Sequence, residues 1–148
     1  MGRIIVGVIL GYVVIFVCLF VMFTAAYMAM GTDGAFQPGT FDVSGKWVAT
    51  SFVVGFVAAI VGGFVCAAVA PASKAPAWLA GLVLVLGLLM ALPVLFPAET
   101  SEPEVRGGEV TMFDSMSKAK RPAWVALADP VVGAVGILLG GSLKKKKR

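Results

Sequence analysis

Charge and apolarity are segregated along the chain. Residues 4–30 carry no charged side chain, nor do residues 47–73 or 75–98, and a fourth apolar stretch at 122–143 is interrupted only by Asp129. A helix needs about 20 apolar residues to cross the hydrocarbon of a bilayer, so each stretch is long enough to span. Lipid offers the backbone no hydrogen-bond partner, which restricts spanning structure to helices or a closed barrel. The runs are continuous rather than alternating with period two, so helices are predicted. The expected fold is all-α: one integral membrane four-helix bundle, N-in/C-in, with spans at about 4–30, 47–71, 76–97 and 122–143. Outer loops are expected at 31–46 and 98–121, and a basic cytoplasmic tail at 144–148.

Composition removes the soluble alternative. The chain is 59% hydrophobic and 14% charged with a mean hydropathy of +0.98, against about 25% charged residues in soluble domains. A short positive start, Arg3, followed by small residues at Ala25, Ala26 and Ala29 has the outline of a signal peptide, whose apolar region is only about 7 to 15 residues long. The first run is far longer, so it is expected to remain as an anchor.

Charge placement sets the expected orientation. Arg3, Lys74, Lys144, Lys145, Lys146, Lys147 and Arg148 fall on segments that alternate onto one side, with no acid among them. The two other connections hold Lys46, Arg106, Lys118, Lys120 and Arg121 together with seven acids. Basic residues near helix ends stay cytoplasmic, which places both termini inside. The run Lys144 to Arg148 reads as a topology determinant and a contact for anionic headgroups of the bilayer. The Ala, Gly and Val richness points to a bacterial inner membrane; in a eukaryote, Lys145 and Lys146 would match a dilysine signal for the endoplasmic reticulum.

Small residues recur at helical spacing. Ser51, Gly55, Ala59, Gly63 and Ala67 step by four along the second span; Gly7 and Gly11 lie on the first, Gly87 and Ala91 on the third, Gly136 and Gly140 on the fourth. In lipid, helices associate through close backbone packing, which such faces permit. Helix starts are marked as well. Pro76 and Pro122 each follow a basic residue and precede a tryptophan, Trp78 or Trp124; proline suits a first turn and tryptophan the interface. Ser44 is placed to cap the second span. In the connection at 31–46, the Gly, Pro and Asp positions favour a folded loop, with Phe36 and Phe41 dipping toward the interface. The connection at 98–121 reads as a solvated loop.

Asp129 is the one residue with chemical promise. An ionised carboxylate at the centre of a span costs about 2.5 to 3.5 kcal/mol. Pro130 follows it, and proline withholds a donor and disfavours helix at the preceding residue. Two readings arise: Asp129 caps a fresh helix that starts at Pro130, or it lines a solute or ion path at a broken helix. Beyond it, no catalytic, cofactor-binding or metal-ligating set is expected. Histidine is absent, which removes the commonest general base and metal ligand. Cys18 and Cys66 are predicted at different depths and unable to pair. No phosphate loop, nucleophile elbow or nucleic-acid motif is present.

The disulfide-generating quinone oxidoreductases need paired cysteines and the small multidrug transporters an acid in their first helix; this chain has neither. Residues Ala35 to Gly39 with Val43 and Ser44, then Gly62 and Gly63, then Asp129 to Gly133 loosely resemble small bacterial four-span membrane proteins of unassigned function. The resemblance covers most of the chain and implies no activity. The expected role is that of a structural or accessory subunit, packed against other membrane subunits or itself. The alternative is a channel or secondary transporter with Asp129 in the pathway.

Overall fold

The structure is a computed structural model that describes residues 1–71, 74–96, 111 and 119–146. Among these residues there are four helices, each long and apolar enough to cross a membrane: α1 Gly2–Ala35, α2 Gly45–Val69, α3 Ala75–Leu95 and α4 Ala123–Lys146. Glycine breaks α1 near its end. Gly31 has φ 67° and ψ 177°, a region open essentially to glycine alone, so the membrane-length rod ends there and one further turn leads to Ala35.

The next element begins with a side-chain cap. The Ser44 hydroxyl accepts from the Trp47 amide at 3.1 Å and donates to the Gly34 carbonyl at 2.5 Å. One serine thus satisfies an orphan donor of α2 and ties it to the last turn of α1. Residues 36–43 form a folded connection. Pro38 and Gly39, the latter at φ +73°, occupy the two central positions of a type II turn, closed by the Thr40 amide on the Gln37 carbonyl at 3.2 Å. Phe36 pairs with Val43 in an antiparallel bridge, and Lys120 joins as a third extended segment: the Val43 amide donates to the Lys120 carbonyl, and the Lys120 amide to the Phe41 carbonyl.

This small cap closes one end of the bundle, here termed the capped end. Phe36 and Phe41 are 1% and 5% exposed and meet edge to face at 6.3 Å. They lie within the protein rather than at its rim, covered as part of the cap. Beneath them Trp47 packs against Phe23 and Tyr27 at 5.7 and 6.2 Å, and the Tyr27 hydroxyl is 2.9 Å from the Thr32 hydroxyl.

The helices are arranged around the bundle in the order α1, α2, α4, α3. The broad contacts are α1 with α2, α2 with α4 and α4 with α3; α3 meets α1 and α2 only narrowly. Glycines set the spacing. A Cβ on Gly7 would lie 3.0 Å from the Ala70 Cβ, and one on Gly11 would lie 2.9 Å from the Cys66 Cβ. On α2, Gly62 takes the Ile15 side chain of α1. The pair α2 and α4 run parallel: Gly136 meets Ala59, Gly140 meets the Ile60 backbone and Gly63 meets the Ile137 backbone. Two facing steps of four, Ala59 to Gly63 and Gly136 to Gly140, bring these helices together at backbone distance.

The expected small-residue ridge needs a correction. Ser51, Ala59, Gly63 and Ala67 are buried, yet a Cβ on Gly55 would meet nothing within 4 Å. Gly62 and Gly141, which lie off that series, are in close contact instead. The reason is geometric: each step of four advances about 40° around a helix, so the ridge from Ser51 to Ala67 winds away from any one neighbour.

Boundaries move by small amounts from expectation. α2 starts at Gly45 and ends at Val69, and α4 continues through Lys146. Cys18 and Cys66 are free thiols, the latter at the crowded approach of α1 to α2. The expectations for residues 97–110, 112–118, Lys147 and Arg148 lie outside the described residues.

Candidate functional site at the start of the fourth helix

Pro122 begins α4 as its carbonyl accepts from the Val125 and Ala126 amides at 3.0 and 3.3 Å. Trp124, one residue inside, is exposed and stacks on Phe52 of α2 at 6.0 Å, with the ring planes 24° apart. Asp129 follows in the second turn. The helix does not restart there, which corrects the capping expectation: α4 is continuous from Ala123 to Lys146 with Pro130 in its interior.

Packing explains why the proline is accommodated. Interior proline leaves the carbonyl four residues back without its helical donor, at about 3 kcal/mol or more. At this position the Pro130 ring fills the notch left by Gly87 of α3, where a Cβ would lie 2.5 Å from the proline Cγ. Any side chain at residue 87 would displace that ring.

Asp129 has a different partner from the one expected. Its Oδ2 lies 3.5 Å from Nη1 of Arg121, which precedes the helix and reaches down its side; the two side chains are 31% and 38% exposed. Charge-assisted hydrogen bonds close at about 2.7 to 2.9 Å, so this is a loose ion pair. Spacing rules for helix pairs stop at four residues. The eight-residue separation works because Arg121 stands outside the helix.

Lys120 and Arg121 therefore act as neighbours with different tasks. Lys120 gives its backbone to the cap on the connection between α1 and α2, and Arg121 gives its guanidinium to Asp129. Among the described residues, no group of three or more His, Cys, Asp or Glu side chains is placed to hold a metal ion.

These features define an all-α bundle of membrane-length helices, sealed at one end by a bridged cap and carrying one paired acid in its fourth helix. No family model, curated protein or solved structure matches the chain.

Proposed function

We propose that this protein is a structural or accessory subunit of a membrane assembly, set in a bacterial inner membrane with both termini in the cytoplasm. The observation that carries the reading is the state of Asp129. The one acid within an apolar span is engaged by Arg121, and Pro130 beside it is keyed into Gly87. The residue with most chemical promise is thus paired with the entry to its own helix, while Pro130 beside it fits α4 against α3. Every helix turns large apolar side chains outward, among them Phe16 and Phe20 on α1, Val53 on α2, Leu89 on α3 and Val131 on α4. Such surfaces suit lipid or the helices of other subunits.

Purification in a mild detergent tests this reading. A stoichiometric membrane partner that stays with the chain through size-exclusion chromatography supports it, and a monodisperse chain without partner that conducts or exchanges solute in vesicles sinks it.

The second reading, a channel or secondary transporter for a small solute or ion, draws on the looseness of the Asp129 pair and its partial exposure. In that case the charge itself matters. Asp129→Asn would then abolish flux in reconstituted vesicles while the helices stay folded.

A further inference from the structure

We propose that the end of the bundle opposite the cap is a binding surface for anionic phospholipid headgroups, assembled from Arg3, Lys74 and Lys144 rather than from the C-terminal run alone. Three helix contacts bring these residues to one end: Gly7 on Ala70, Gly11 on Leu79 and Gly141 on Pro76. Arg3 stands one turn before Gly7. Lys74 is the N-cap residue of α3, between Ala70 and Pro76, and Lys144 follows Gly141 by three residues.

The acids whose positions are described are elsewhere. Among the described residues, Asp33, Asp42 and Asp129 lie toward the capped end. Arg3 and Lys74 are exposed. A positive cluster apart from the described acids, at the level where a bilayer presents phosphate, is complementary to anionic lipid.

Lys144 shows that the surface has structure. Its ammonium stands 5.5 Å from the centre of the Phe64 ring on α2, within range of a cation–π contact, and α4 stays helical through Lys146. The first cation of the tail is therefore held at a defined height against α2. A tail acting only as a loose tether would not need that seat.

The test uses the full chain in a neutral maltoside detergent, mixed with micelles of phosphatidylglycerol and phosphatidylcholine, with retained lipid counted by native mass spectrometry. Phosphatidylglycerol should be retained in preference, and the preference should fall as salt rises. Lys74→Gln combined with Lys144→Gln should lower it by about fivefold for each cation removed, whereas Lys74→Arg with Lys144→Arg should preserve it. Equal retention of the two lipids overturns the proposal, as does an undiminished preference in a glutamine pair whose circular dichroism matches the parent. Displacement of the lipid by inorganic phosphate alone would reassign the surface to a free anion. If the glutamine pair does not fold, a salt-independent preference in the parent chain refutes the proposal by itself.

Discussion

Replacing Gly63 by alanine sets one methyl group against the backbone of a neighbouring helix. The added Cβ would lie 2.7 Å from the Ile137 Cα and 2.8 Å from its carbonyl carbon, with the carbonyl oxygen nearer still. Carbon atoms rest at about 3.5 to 4.0 Å, so the α2 and α4 backbones must part by roughly an ångström. No rotamer change can absorb this, because the obstructing atoms are main chain. Separation would also loosen the neighbouring contacts of Gly136 with Ala59 and Gly140 with Ile60. Overpacking of this kind costs about 1 to 3 kcal/mol, and the broadest interface of the bundle should be in the upper part of that range. Gly55→Ala is the matched control. It lies on the same series of small residues, yet its Cβ meets open space, and alanine gains about 0.5 to 1 kcal/mol over glycine in a helix interior. Unfolding of both variants in mixed detergent micelles, followed by far-ultraviolet circular dichroism, should therefore give midpoint shifts of opposite sign. Equal midpoints, or a larger loss at Gly55, would refute the packing geometry on which the bundle order depends.

Ser44→Ala should cost about 0.5 to 2 kcal/mol in the same unfolding assay, because the cap on Trp47 and the bond to Gly34 are lost together; an unchanged midpoint would show the cap to be dispensable. Gly31→Ala should destabilise by about 1 to 3 kcal/mol, since residue 31 has a positive φ that alanine resists; a stabilised variant would mean that α1 runs straight. A double-mutant cycle over Arg121→Gln and Asp129→Asn should return a coupling below about 1 kcal/mol, the range for loosely held, partly exposed pairs; a larger coupling would mean that the pair closes more tightly than its 3.5 Å separation indicates. Reporter fusions at Gly34 and Gly107 should appear outside and one after Arg148 inside, and an external C-terminus would reverse the proposed orientation.

Helices were legible because an apolar run of membrane length must satisfy its own backbone if it is to sit in lipid, and their ends were legible wherever one residue type answers a local need. Ser44 as a cap, Pro76 in a first turn and the end of the first rod at Gly31 are of that kind. Partnerships across the bundle were harder. A step of four names a stripe on α2 but not the helix it will face, and the stripe winds as it goes; Gly55 falls off the seam while Gly62 falls on it. The Arg121 and Asp129 pair was missed because its spacing fits no helical rule, and the bridge from Lys120 to Phe41 and Val43 because it joins segments far apart in sequence. A cation just before the proline of a helix start, with an acid two turns inside, was the signal available.

The order of the helices around the bundle has a consequence for how the chain is made. Synthesis delivers α1 and α2 first, and these can dock at once as a hairpin through Gly7, Gly11 and Gly62. The third helix emerges with little to hold, since its broad contact is with α4 alone. On the proposed membrane reading, it waits until the last helix emerges and packs between it and α2. Assembly is then expected to be gated by the final segment translated, with α3 lacking its broad partner in any chain that stops short of Ala123.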